Sequence, residues 1–221
     1  MRQTYIVVDD FYKNPEQVRQ FALAQEFKSP SYGTGYPGLE TEPCDLKALM
    51  PIMQSVSKIV GKKIGWDPES VQGMFRLMDK HLMDTRNNLI HTDPCRWTGI
   101  IYLSLAEHCK GGLSLFRHKE TGLTRLHPQN DEKVLWAMNK YNMNYEQLTH
   151  WFYKQSLDLD KWIETDFISC QFNRLLLFDG GIFHGIIQLF GDSKENSRLS
   201  QHFFVHEVES VSSGGQAVLS S

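Results

Sequence analysis

The sequence predicts a mainly β domain, a sandwich or barrel with helices at its front and further helices inserted into one long connection. Three observations lead there. From Val71 onward, short runs of β-branched and aromatic residues are separated by glycine turns, the texture of an antiparallel sandwich or barrel. Before that point, and again between Asp131 and Trp162, apolar residues recur at helical spacing. The 221 residues, 41% hydrophobic and 22% charged, can form one core without staples and suit a single domain enlarged by insertions better than two domains.

Each element has its own signal. Tyr5-Ile6-Val7-Val8 is a strand candidate that ends at Asp9-Asp10. Asn14 followed by Pro15 and Glu16 marks a helix start, with an N-cap residue, proline in the first turn and an acid beside it. Val18, Phe21, Ala22, Ala24 and Phe27 form its apolar face. Ser29 to Glu42, with Gly33, Gly35, Pro37 and Gly38 around Tyr32 and Tyr36, reads as a turn-rich loop of the kind that carries binding residues. A second helix is expected within Cys44 to Lys62, with Leu49, Ile52, Met53, Val56, Ile59 and Val60 inward and Pro51 kinking or restarting it. Five strands are expected at Val71–Met78, Trp97–Ser104, Gly111–Phe116, Arg174–Phe178 and Ser200–Val205. Residues 1–208 make one domain on this reading, with a helical front over 1–68, a helical insertion over 118–170 and a flexible tail over 209–221.

Composition narrows the partners. Lys and Arg number 23 against 26 Asp and Glu, so affinity from counterion release on a nucleic acid is not expected. A small-molecule or peptide-like partner fits better. The short apolar run at the amino terminus and the lack of any 18-residue apolar stretch argue against a signal peptide and a membrane partner, so a cytoplasmic location is expected. Nothing speaks against a homodimer. Cys44, Cys95, Cys109 and Cys170 form no C-x-x-C pair, which removes zinc ribbons and thioredoxin-type redox motifs. Nine histidines against four cysteines favour nitrogen and oxygen ligation, the preference of iron, manganese or copper.

The chemistry concentrates in three segments. In an extended Ile90-His91-Thr92-Asp93, alternation puts His91 and Asp93 on one face, where they can chelate one ion. The same run also suits a turn in which Asp93 caps Pro94-Cys95. A third ligand candidate follows the apolar run ending at Phe178: Asp179-Gly-Gly-Ile-Phe-His184 puts an imidazole just beyond a glycine turn, at the mouth of a sandwich. Two histidines and a carboxylate with open positions suit non-haem iron(II), with zinc as the competing metal; the bland alternative for His184 is a core histidine satisfied by backbone groups. Finally, Arg198, Ser200 and His202 alternate with Leu199, Gln201 and Phe203 and share one strand face. If that face is interior, Arg198 needs an anion, and a carboxylate held by its two-pronged fork with the Ser200 hydroxyl alongside would serve. The alternative is a solvent-facing Arg198 paired with Glu195.

Taken together, His91-x-Asp93, the run Gly111-Gly112-Leu113-Ser114-Leu115-Phe116, Asn173 to Phe178 leading to His184, and Arg198-x-Ser200 resemble the iron(II)- and 2-oxoglutarate-dependent dioxygenases. The resemblance is to their prolyl-4-hydroxylase-like branch and its small bacterial relatives, and spans Val71 to His206. It implies a double-stranded β-helix (jelly-roll, cupin-like), Fe(II) held by His91, Asp93 and His184, and 2-oxoglutarate as co-substrate with its distal carboxylate on Arg198. Ser200 would lie beside that carboxylate, and Tyr102, on the strand after the His-x-Asp, would be a hydrogen-bonding companion for it or, equally, sandwich core. It also implies O2 as the oxidant and hydroxylation of an unactivated carbon, with Asp93 arguing against halogenation and leaving desaturation or cyclisation open. Two features depart from the pattern: animal prolyl hydroxylases use lysine, placed closer to the second histidine, for the distal carboxylate, and the insertion here is long. Tyr32, Tyr36, Arg86, Asn88, Arg96 and Arg117 flank the site in sequence, and a pocket with several cations would greet an amino-acid or peptide carboxylate. The aromatic insertion, with Trp136, Trp151 and Trp162, either covers the mouth or packs on itself, the second being the simpler reading. A different class, a β-helix protein that binds metal or peptide without turnover, is disfavoured because the whole ligand and anion-binding set is present.

Overall fold

The computed structural model describes residues 4–30, 38–67, 72–83 and 90–208, and its strands alternate between two antiparallel sheets. The front comprises β1 (Tyr5–Val8), α1 (Pro15–Ala24), β2 (Leu39–Glu40), α2 (Met50–Val60) and β3 (Ile64–Trp66). Next come β4 (Phe75–Met78), β5 (Ile90–His91), β6 (Trp97–Tyr102) and β7 (Gly112–His118), then α3 (Glu132–Tyr141) and α4 (Tyr145–Gln155). The chain closes with β8 (Trp162–Ser169), β9 (Leu175–Phe178), β10 (His184–Gly185) and β11 (Arg198–Glu207). The larger sheet runs β1-β9-β6-β11-β4-β2, with β3 also on β11; the smaller runs β5-β10-β7-β8.

The pairing is nested. From β4 to β7 the chain steps large, small, large, small; from β8 to β11 it steps small, large, small, large. First pairs with last: β4 with β11, β5 with β10, β6 with β9 and β7 with β8, all antiparallel. Folding one long hairpin into a two-sheet spiral in this way is a double-stranded β-helix, as the resemblance implied.

Three apolar layers hold it. Leu175, Leu177, Leu199, Phe203 and Val205 on the outer face of the larger sheet bury Ala22 of α1 and Ile52 and Val56 of α2. Between the sheets, Ile100, Tyr102, Leu176 and Phe178 meet Leu113, Leu115 and Ile168. Outside the smaller sheet, Phe116, Trp162 and Phe183 pack on Val134, Ala137, Leu148 and Phe152 of the inserted helices. β9 is apolar at every position because it is covered on both faces, whereas β11 turns Leu199, Phe203 and Val205 outward and Arg198, Ser200 and His202 inward.

The sequence expectations hold for the helices and for the strands they named, and fail at certain boundaries and at the strands they did not name. Asn14 sits at the N-cap of α1, yet its side chain makes no capping bond, so the start rests on Pro15. Pro51 opens α2 rather than kinking it, and Gly61, with φ of +68°, closes it. The strand expected from Val71 begins at Phe75, because Gly73 takes a left-handed φ of +71° just before it. The helical front over 1–68 also contains the short strands β2 and β3, too brief to carry a periodic signal. The helical insertion over 118–170 contracts to helices between Glu132 and Gln155. Its last part is β8, an edge strand whose polar Glu164, Thr165 and Asp166 face water and conceal the alternation. The tail over 209–221 lies outside the described residues. No helix among the described residues is long and apolar enough to cross a membrane.

Candidate metal centre and anion pocket

The register of β10 on β5 sets His184 directly opposite His91, so both imidazoles rise from one face, with ring centroids 4.3 Å apart. Asp93 lies just past β5, and its backbone N–H donates to Gly180 O at 2.7 Å, tying the His-x-Asp segment to the turn that carries His184. That approach needs glycine: a Cβ on Gly180 would stand 2.7 Å from Cys95 O. His184 Nε2 is 3.5 Å from Asp93 Oδ2, and His91 Nε2 is 4.0 Å from Oδ1. All three donor atoms lie within 4.8 Å of one another. Donors about 2.1 Å from a shared ion stand at most about 4.2 Å apart, so both carboxylate–imidazole separations already fit one metal.

Neighbouring groups set the ligands' states. Ile182 O, an acceptor only, is 2.8 Å from His184 Nδ1, so Nδ1 carries a proton and the ring is held with Nε2 toward Asp93. The Thr98 hydroxyl donates to Asp93 Oδ2 at 2.6 Å. Burial alone would raise the Asp93 carboxyl; the imidazoles of His184 and His91, the Thr98 hydrogen bond and the Arg76 guanidinium outweigh it and hold the pKa below its ordinary value. His184 is 3% exposed and His91 41%, so the centre opens on the His91 side.

Further between the sheets lies a buried cluster around a guanidinium. Arg198, Ser200 and His202 point between the sheets, and Arg198 is 0% exposed. Its Nη1 donates to Ser200 Oγ at 3.3 Å, and its guanidinium carbon lies 5.2 Å from the centroid of the Tyr102 ring. Arg198 Nε and Nη2 and the Tyr102 hydroxyl are buried without a hydrogen-bond partner among the described residues. A cation in that state costs several kcal/mol unless an anion meets it. Burial pushes the Tyr102 hydroxyl up to about 12 against the opposing pull of Arg198, so it stays protonated and able to donate. His202, beside them, is held well below the ordinary histidine value by burial and by Arg76, Arg198 and His184, and is therefore neutral.

The structure thus brings together all six residues singled out in the sequence: His91, Asp93 and His184 as one cluster, and Arg198, Ser200 and Tyr102 as another. The other residues expected near the site are engaged elsewhere, face solvent or lie outside the described residues. Arg96 is occupied by Asp179 at 2.9 Å and Glu207 at 3.2 Å and stacks on Trp97, while Arg117 faces solvent. Tyr32, Tyr36, Arg86 and Asn88 lie outside the described residues. The inserted helices cover the outer face of the smaller sheet instead of the mouth. Trp151 stacks on Tyr141, Trp162 packs on Phe183, and Trp136 is exposed beneath Lys140.

A family model described as "Family of unknown function (DUF6445)" matches residues 1–205. The chain belongs to this family. No curated protein matches the sequence of this DUF6445 member. Among solved structures it is similar to HygX from Streptomyces hygroscopicus with nickel and 2-oxoglutarate bound, at 11% identity and a TM-score of 0.49, over 92% of this chain and 83% of HygX. It is similar to SnoN, a non-haem α-ketoglutarate-dependent epimerase from nogalamycin biosynthesis, at 11% identity and a TM-score of 0.48, over 93% and 77% of the two chains. A Pseudomonas putida prolyl-4-hydroxylase is similar at 11% identity and a TM-score of 0.40, over 93% and 94%.

Two groups in this DUF6445 chain escaped the sequence reading. Asp179, buried at the end of β9, takes Arg96 Nη1 at 2.9 Å and Arg125 Nη1 at 3.1 Å and accepts the Gly181 N–H, bracing the turn that presents His184. Its only signal was an acid between an apolar strand and two glycines. Thr98, inward-facing at the start of β6, carried none.

Proposed function

We propose that this protein is a non-haem iron(II)- and 2-oxoglutarate-dependent oxygenase that hydroxylates an unactivated carbon of an amino acid or peptide-like metabolite. The observation that carries the reading is the pairing of a His-Asp-His cluster with the buried, unpartnered Arg198 guanidinium in one inter-sheet space. His91, Asp93 and His184 would hold the metal, and two imidazoles with one carboxylate leave coordination positions for a co-substrate and an oxidant. Iron(II) supplies the redox chemistry that activates dioxygen at the expense of decarboxylating the 2-oxo acid.

The remaining tasks fall to the chain. Arg198, Tyr102 and Ser200 bind the distal carboxylate, a charge-assisted contact in a space sealed from water. Thr98 and the Ile182 carbonyl orient Asp93 and His184. Substrate enters from the His91 side. Arg76, close enough to influence Asp93, pairs with Glu40 at 3.4 Å; a cation and an anion side by side suit a zwitterionic amino acid or peptide end. The test is anaerobic calorimetry of the Fe(II)-loaded protein with 2-oxoglutarate, followed by a screen of amino acids and short peptides for succinate released above the uncoupled background. Saturable 2-oxoglutarate binding and one succinate-releasing substrate are expected. A metal-loaded protein that does not bind 2-oxoglutarate overturns the reading.

A further inference from the structure

We propose that His202 is a positioning residue: Arg76 fixes its tautomer, and through it the Ser200 hydroxyl proton is turned toward the anion held by Arg198. The inference rests on the reading above and concerns how that same pocket is prepared. Strand register places its members in one row. Glu40 stands opposite Arg76, Arg76 opposite Ser200, and Ser200 opposite Tyr102, so β2, β4, β11 and β6 present a line of polar side chains from the sheet edge inward. His202 follows Ser200 on the same inner face and bridges back to Arg76.

The protons in this row are determined by what each group can do. A guanidinium donates and never accepts. Arg76 Nη1 lies 3.3 Å from His202 Nδ1, so Nδ1 carries the lone pair and the single ring proton is on Nε2. Nε2 is 3.0 Å from Ser200 Oγ and therefore donates to it. Ser200 Oγ also accepts from Arg198 Nη1 at 3.3 Å. A hydroxyl oxygen has two acceptor lone pairs, and both are then filled. Its own proton must point away from both donors.

The pocket supplies the destination. Arg198 Nε, Arg198 Nη2 and the Tyr102 hydroxyl are donors without partners among the described residues, and the Ser200 proton makes a fourth. A carboxylate offers about four lone-pair sites, which matches the set. The opposite tautomer would set the Nδ1 proton against the Arg76 N–H, and Nε2 would draw the serine proton toward the ring. The pocket would then offer one donor fewer. Arg76 is itself anchored by Glu40, so the edge of the sheet next to the substrate side reaches the co-substrate pocket through three hydrogen bonds.

Calorimetry on the Mn(II)-loaded protein tests this with two ligands, 2-oxoglutarate and 2-oxopentanoate, which has a methyl group where 2-oxoglutarate has its distal carboxylate. His202→Phe is expected to weaken 2-oxoglutarate about tenfold, the scale of one hydrogen bond to a charged group, and to leave 2-oxopentanoate unchanged. His202→Gln, whose amide accepts from Arg76 and donates to Ser200, should recover most of the loss. In a Ser200→Ala background, His202→Phe should have no further effect. Should His202→Phe fail to fold, Arg76→Met frees the tautomer with His202 in place and is expected to show the same carboxylate-selective loss. Unchanged 2-oxoglutarate affinity in the variants, equal losses for both ligands, or additive losses with Ser200→Ala would overturn the relay. Wild-type protein that binds neither ligand would instead overturn the oxygenase reading itself.

Discussion

Replacing Arg198 with methionine separates the cost of this guanidinium from its use. Without an anion, Arg198 is fully buried, donates from Nη1 alone, to Ser200 Oγ and the Met78 sulfur, and leaves two nitrogens unpartnered among the described residues. Methionine has similar length and would lie against Met78 and the Tyr102 ring, which already flank the site. Exchanging buried ionic groups for well-packed apolar ones of similar volume is neutral or stabilising by about 1–4 kcal/mol. At roughly 2–4 °C per kcal/mol for a chain of this size, a gain of about 2 kcal/mol raises Tm by about 4–8 °C. Binding works in the opposite direction: 2-oxoglutarate at about 100 times its Kd stabilises the wild type by about 2.7 kcal/mol, a similar upward shift. Scanning calorimetry of the Mn(II)-loaded protein with and without 2-oxoglutarate reads both effects. The expected result is an Arg198→Met protein that melts higher than wild type alone and shifts far less than wild type with 2-oxoglutarate. A variant that melts lower and still shifts with 2-oxoglutarate would refute the claim that Arg198 is an unpaired cation waiting for a carboxylate.

Three further outcomes follow from the same geometry. Thr98→Val keeps the shape of the residue and removes the hydroxyl that orients Asp93, so metal affinity, measured by competition with a chelator, should fall about 10–100-fold without being lost; an unchanged affinity would remove Thr98 from the site. Asp179→Asn leaves Arg96 and Arg125 facing a neutral amide in a buried corner and should cost about 3–5 kcal/mol in urea unfolding, whereas a loss below about 1 kcal/mol would show the ion triplet to be dispensable. His118, boxed by the rings of Trp151, Phe152 and Trp162, has its pKa lowered chiefly by burial. Its neutral form is the one the fold favours, so its contribution is complete above the unfolded value near 6.5 and falls as pH drops from there toward its folded value. His118→Phe should flatten the difference between unfolding at pH 5 and pH 7.5, and an unaltered difference would assign the acid sensitivity elsewhere.

The two groups of site residues were legible for different reasons. His91 and Asp93 were visible because chelation at i and i+2 is a local property of an extended chain. Arg198 and Ser200 were visible because their alternation with Leu199 and Phe203 shows that they share a face, though not which face is interior. β8 was invisible because an edge strand with one solvated face keeps few of the apolar residues that periodicity detects. The aromatic insertion was readable as helical, yet its docking on the back of the smaller sheet depended on Phe116 and Phe183 being exposed there for it to cover.

By itself, the sequence determined the order of the helices and of the more apolar strands, the mainly β character of the chain and the residue types able to hold a metal and a carboxylate. These follow from periodicity, turn chemistry and short-range spacing, which act within a few residues. Only the tertiary structure decided that His184 faces His91, that Arg198 is sealed from both water and acidic partners among the described residues, and that Glu40, Arg76, Ser200 and Tyr102 stand in one row. Arg76 and His202 are 126 residues apart. Their contact is set by strand register, and register is fixed by the burial of whole faces, a property that no segment of the chain possesses alone.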